Sequence, residues 1–270
     1  MTLLFLFIII SALYSLLFYF LIDLSAYFLF LWIPLGILLS LLTLGIILYL
    51  YLLIIGQHTK NNRFLKHFLL MSASNLAIKF AHIKFIVEGK ENIPEETFVV
   101  YANHKSDLDP LLVYYGVHKR PMAAVGKKSL FQNHFMQILR KTFTSISLDR
   151  DNDREGARVM IEAIKQVKSG INFIIFPEGG IKTRDTEEMV DLRPGAYKLA
   201  QKPGATILPI AIIGSSQISK VKLFKKKVIR LRILKPIRFE DYKELNTTEI
   251  GTLVESRING EIKGATEAKI

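Results

Sequence analysis

Phe98-Val99-Val100-Tyr101-Ala102-Asn103-His104-Lys105-Ser106-Asp107-Leu108-Asp109-Pro110 carries the first decision about the fold. A short run rich in aromatic and β-branched residues ends abruptly in a polar cluster, and Pro110-Leu111-Leu112-Val113 then opens a helical stretch. This is a buried strand delivering polar side chains at its carboxyl end, followed by a helix whose first turn tolerates proline. The same alternation recurs downstream. Strands are predicted at Lys84–Glu88, Phe98–Tyr101, Met122–Val125, Phe143–Leu148, Asn172–Phe176, Ile207–Ile213 and Val228–Leu234. Helices are predicted at Pro110–Val117, Lys128–Leu139, Asp153–Lys168, Pro194–Gln201 and near the C-terminus. Strand–helix alternation predicts an α/β fold with a mostly parallel central sheet flanked by helices.

Upstream, the pattern is different. Between Thr2 and Ile55 the only charged side chain is Asp23, and every lysine and arginine of the chain lies after Gly56. Leu3–Ile22 and Leu24–Ile55 each have the length and apolarity of a bilayer-crossing helix, which needs about 20 residues. The expected arrangement is an N-terminal transmembrane helical hairpin at 1–56. An amphipathic interfacial segment follows at 57–83, where Phe64, Leu65, Phe68 and Leu69 interleave with Arg63 and Lys66, and the catalytic domain occupies 84–270. An ordinary core-facing helix is the alternative for the middle segment. Lys60, Arg63 and Lys66 after the second run place that domain on the cytoplasmic side by the bias of basic loops.

The net charge of +12 calls for an acidic partner such as an anionic lipid, a phosphorylated substrate or nucleic acid. The densest basic stretch, Lys220 to Arg232, holds only Phe224 as an aromatic, so base stacking is poorly served and no nucleic-acid partner is expected. Membrane lipids are the expected partners. A non-enzymatic basic membrane-surface protein is the alternative reading of the same charge. The absence of cysteine excludes disulfides, thiolate metal sites and a covalent thiol intermediate.

Three strand candidates end in polar clusters, at Asn103 to Asp109, at Asp149-Arg150-Asp151 and at Pro177-Glu178-Gly179-Gly180. Ligands bind at the carboxyl ends of strands in open α/β sheets, so these ends are expected to share one cleft. His104 is the natural general base near neutral pH, and Asp109 can orient its ring if the intervening chain turns. Asp109 before Pro110 is equally a good helix N-cap. His104, Asp107 and Asp109 have the ligand types for a metal, but no companion cluster accompanies them and no metal is expected. No Gly-x-Ser-x-Gly elbow supports a serine hydrolase, although water could replace an acceptor in front of the same His–Asp pair. Gly126-Lys127-Lys128-Ser129 has the wrong spacing for a P-loop; Lys127 and Lys128 either face a phosphate or are solvated.

These blocks resemble the glycerolipid acyltransferases, in particular the 1-acylglycerol-3-phosphate acyltransferase group, over roughly Lys84 to Phe239. Asn103-His104-x4-Asp109 is similar to the family's first block. Ile146 to Arg150, Phe176-Pro177-Glu178-Gly179 and Ile207 to Ala211 resemble the second to fourth, and Arg193-Pro194-Gly195-Ala196 sits at a basic-x-Gly-Ala position. The resemblance implies acyl transfer from acyl-CoA or acyl-carrier protein to lysophosphatidic acid, with no further cofactor. Glycerol-3-phosphate or another lysolipid is the alternative acceptor. It implies that Arg150 grips the acceptor phosphate and that Glu178 and Gly179 help hold the acceptor. The third block departs from the family: Gly180-Ile181-Lys182 stands where an arginine is usual. Lys182 or Arg184 is expected to supply the missing charge, though a lysine cannot reproduce a bidentate guanidinium grip. Lys105 is a second departure, at a position where Gln or another polar residue is frequent.

Overall fold

A strand buried on both faces reads as an unbroken apolar run, and every residue of Thr206–Ile213 is buried. That strand lies inside the sheet. The computed structural model of the chain describes residues 2–21, 29–51, 63–117, 122–142, 145–148, 153–221 and 225–267. The chain divides into two compact units, Met1–Asn61 and Asn62–Ile270.

The first unit is a pair of helices, α1 (Thr2–Leu21) and α2 (Leu29–Tyr51). Hydroxyls join them: Ser11 Oγ lies 2.6 Å from Ser40 Oγ, and Tyr14 Oη lies 2.9 Å from Thr43 Oγ1. Gly36 permits the approach, since a Cβ there would stand 2.7 Å from Ser15 Oγ. The two uncharged runs therefore become helices, but the expected transmembrane hairpin is not supported. Among the described residues no helix is long and apolar enough to cross a membrane. The expected cytoplasmic placement rested on that hairpin. Asp23 lies outside the described residues.

The second unit opens with α3 (Arg63–Phe80), then β1 (Ile83–Glu88), β2 (Phe98–Ala102), α4 (Asp109–Gly116) and β3 (Met122–Lys127). It continues through α5 (His134–Thr142), β4 (Ile146–Leu148), α6 (Asp153–Lys168), β5 (Asn172–Ile175) and α7 (Lys198–Gln201). β6 (Thr206–Ile213), α8 (Gln217–Lys220), β7 (Lys227–Ile233), α9 (Phe239–Tyr242) and α10 (Thr247–Glu267) complete it. All seven predicted strands form, with ends shifted by a few residues at most among those described. The predicted helix at 128–139 splits into a 3-10 turn at Lys128–Phe131 and α5. Asn133 causes the break: its Oδ1 accepts the Met136 N–H at 2.8 Å and caps a fresh helix.

The strands order as β1-β7-β6-β2-β5-β3-β4. Every neighbouring pair is parallel except β6 with β7. The two-residue period divides β2 between two cores. Val99 and Tyr101 face the side covered by α6, α7 and α10, whereas Phe98, Val100 and Ala102 face the side covered by α3 and α4. On α3, Ile78 is buried in the second core while Leu76 and Phe80 remain exposed, so this helix packs as part of the second unit. On α10, Ile250, Val254, Ile258 and Ile262 repeat every fourth residue and are all buried.

Ile258→Ala removes a fully buried side chain from this stripe. A loss of about 2–5 kcal/mol is expected, read by urea denaturation.

Candidate active site

β2 and β5 are hydrogen-bonded neighbours running the same way, so their carboxyl ends open side by side. β2 delivers Asn103 and His104, and β5 delivers Phe176 to Gly179. Three bonds fix the first of these turns. The Asn103 amide donates to the carbonyl of Ile212 at 2.7 Å and accepts the Ile212 N–H at 2.8 Å, which pins it to β6. The His104 N–H donates to Glu178 Oε1 at 2.8 Å. Asn103, Ile212 and Glu178 are buried, and burial raises the cost of leaving any of their polar groups unpaired.

Asp109 stands at the first residue of α4, yet its carboxylate does not serve as a conventional N-cap. It turns back. Oδ2 accepts the backbone N–H of Lys105 and of Ser106, each at 2.7 Å, and lies 3.0 Å from His104 Nδ1. An acceptor-only carboxylate requires the proton on Nδ1. In the neutral imidazole that leaves the lone pair on Nε2. The imidazole also stacks on Phe176, with centroids 4.3 Å apart and planes at 23°. Its ring is held by a carboxylate at one edge and an aromatic face, while its side chain stays 12% exposed.

His104 lines a cavity of about 1010 Å³. One wall is apolar, built from residues such as Leu130, Met136, Met160, Ile161 and Ile164. Its cations are Lys127, Arg193, Lys165, Lys168, Lys198 and Lys202, all exposed at their outer ends. The arrangement offers an apolar groove, a basic rim and one imidazole nitrogen. It fits a substrate with a long hydrocarbon and phosphate groups.

The expected site residues divide into three groups. His104 and Gly179 line the cavity, with Asp109 directly behind His104. Glu178, Lys182 and Arg184 are not among the lining residues. Glu178 is fully buried, and both its oxygens are committed, Oε1 to the His104 N–H and Oε2 to Lys105 Nζ at 2.8 Å. Burial pushes its carboxyl upward, opposed first by the bonds from Lys105 and His104. Arg184 donates to the Lys105 carbonyl at 3.2 Å and pairs with Asp107 at 3.7 Å; Lys182 is exposed. Arg150 lies outside the described residues. No group of three or more metal-ligating side chains occurs among the described residues.

Two features escaped the sequence reading as site features. Glu187 is a half-buried carboxylate behind the turn: Oε1 accepts the Ser216 hydroxyl at 2.5 Å, and its carbonyl accepts from Asn103 at 2.8 Å. Burial raises its carboxyl, Ser216 opposes this, and the Asp109 charge raises it further. The other is Arg193 of the basic-x-Gly-Ala stretch, which stands on the cavity wall.

The comparisons with known proteins agree with this geometry. A family model described as Acyltransferase matches residues 84–213. The 1-acyl-sn-glycerol-3-phosphate acyltransferase of Bacillus subtilis is 32% identical over 178 residues, covering 66% of this chain and 85% of that protein. The protein of the same name from Borreliella burgdorferi is 32% identical over 151 residues, a match spanning 55% of this chain and 59% of its own length. The crystal structure of the 1-acyl-sn-glycerophosphate (LPA) acyltransferase PlsC from Thermotoga maritima shares the fold. Its TM-score is 0.67 at 23% identity, covering 80% of this chain and 87% of that one.

The buried pair Lys105–Glu178 gives a test. Lys105→Met strands a buried carboxylate and is expected to cost about 3–5 kcal/mol in urea denaturation. The double variant Lys105→Met, Glu178→Gln is expected to recover a substantial part of that loss, because no unpaired charge remains.

Proposed function

Because this chain belongs to the acyltransferase family, we propose that it moves a fatty acyl group from a thioester to the free hydroxyl of 1-acyl-sn-glycerol-3-phosphate. The product is phosphatidic acid, a step of phospholipid biosynthesis. One observation carries the mechanism: Asp109 occupies His104 Nδ1, which leaves Nε2 as the basic nitrogen on a cavity with an apolar groove and a basic rim.

The acceptor hydroxyl oxygen attacks the thioester carbonyl carbon while His104 Nε2 takes its proton. Asp109 holds the ring in the Nδ1–H tautomer and balances the imidazolium that forms. The tetrahedral intermediate collapses, the C–S bond breaks, and the imidazolium returns the proton to the departing sulfur. Acyl transfer by this route needs no protein nucleophile, which suits a chain without cysteine. The acyl chain takes the wall of Leu130, Met136, Met160 and Ile161. Glu178 acts by holding the His104 amide and Lys105, and makes no acceptor contact. Lys165, Lys168, Lys198 and Lys202 make the rim attractive to the phosphate-bearing part of a donor, acyl-CoA or acyl-carrier protein. The acceptor and the product are lipids, so the reaction runs at a lipid surface.

The test is an assay of the purified full chain with each thioester donor and a panel of 1-acylglycerol-3-phosphate, glycerol-3-phosphate and other lysolipids, read by mass spectrometry. Phosphatidic acid is expected from the first acceptor. His104→Ala is expected to abolish it, and Asp109→Asn to lower kcat on the order of 10³–10⁴-fold by favouring the wrong tautomer. Free fatty acid as the sole product would identify a thioesterase instead. Near-normal transfer by His104→Ala would remove the general base from the scheme.

A further inference from the structure

The third block lacks its usual arginine at Gly180-Ile181-Lys182, and neither expected substitute stands on the cavity. Arg184 is held by the Lys105 carbonyl and Asp107, and Lys182 is exposed outside the lining. Arg193 does stand there. Its backbone N–H donates to the Pro177 carbonyl at 2.9 Å, which places it against the Glu178–Gly179 turn. Its guanidinium stem lies across Gly179. A Cβ on Gly179 would fall 2.5 Å from Arg193 Nε and 3.0 Å from Cζ. Gly179 has φ of +72°, so backbone conformation and close approach both call for glycine there. Among the described residues the Arg193 side chain has no ion-pair or hydrogen-bond partner, and it lines the same cavity as His104.

We propose that Arg193 is the residue that grips the phosphate of the acceptor, supplying from the far side of the turn the guanidinium that the third block lacks. This rests on the acceptor being a glycerol-phosphate lipid, as argued above. A guanidinium offers two parallel N–H donors to a phosphate, a grip that the ammonium of Lys127 on the same cavity cannot give. The glycine at 179 then has a physical reason beyond the turn itself: it leaves room for the guanidinium to lie beside the β5 end, within the cavity that holds the base.

The experiment measures KM and kcat for 1-acylglycerol-3-phosphate in the wild type, Arg193→Gln and Arg193→Lys, with thermal melts to confirm that each variant is folded. Arg193→Gln is expected to raise KM on the order of 10- to 100-fold, the size of one charge-assisted hydrogen-bond contact, with a smaller change in kcat. Arg193→Lys is expected to recover part of that loss, because charge returns without the fork. An unchanged KM in Arg193→Gln overturns the proposal, as does a fall confined to kcat or to melting temperature. A wild-type protein that makes no phosphatidic acid overturns the proposed acceptor itself. That outcome is distinct from failure of Arg193, which shows only against an active wild type.

Discussion

The Glu178 carboxylate joins the ends of two parallel strands, and the site depends on that junction. One oxygen takes the backbone N–H of His104 and the other takes the ammonium of Lys105, so the turn after β2 is held by the turn after β5. A carboxylate buried at this depth is costly unless both oxygens are paired, and here they are. The consequence is positional. With its amide anchored, His104 can present one ring nitrogen to Asp109 and the other to the cavity. Asn103 fixes the preceding residue to β6, so the imidazole hangs from a backbone tied to both strands flanking β2. The same pair accounts for the lysine at 105: a buried Glu178 with a neutral amide beside it would retain an uncompensated charge.

Chemistry and recognition are divided between the two turns. The first supplies His104 and the carboxylate that orients its ring, the base of the proposed reaction. The second supplies Phe176, whose face lies on the imidazole, and Gly179, whose missing side chain admits Arg193. Substrate selectivity is a matter of the walls beyond them, apolar on one side and basic at the rim. A polar reaction centre at the head of an apolar groove suits a substrate that is itself amphipathic.

Much of the fold was legible in the sequence because burial on both faces leaves a mark that survives without tertiary information. The unbroken apolar strands declare themselves, and the buried stripes of α6 (Val159, Ala163, Val167) and α10 keep one four-residue spacing. The N-terminal runs misled where length was the only guide: both form helices, yet among the described residues no helix is long and apolar enough to cross a membrane. At the site, the spacing from His104 to Asp109 was readable, yet the choice between N-cap and ring partner for Asp109 was not. Only the direction of its carboxylate, back toward residues 104–106, decides it. The resemblance cast Glu178 as a residue that helps hold the acceptor and gave Arg193 no role, whereas Glu178 has both oxygens committed inside the protein and Arg193 stands on the cavity wall. A motif glutamate looks like a ligand until its burial is known, and Arg193 lies fourteen positions past Gly179 in the chain while touching it in space.

In the proposed reaction His104 enters as a neutral imidazole protonated on Nδ1 and bare on Nε2. Nitrogen NMR of histidine-labelled protein tests it most directly, with the His104 signals assigned by their loss in His104→Gln. Near neutral pH the account predicts a protonated Nδ1 coupled to Asp109 and an Nε2 with the shift of an unprotonated ring nitrogen. A proton on Nε2 with a bare Nδ1 would contradict it.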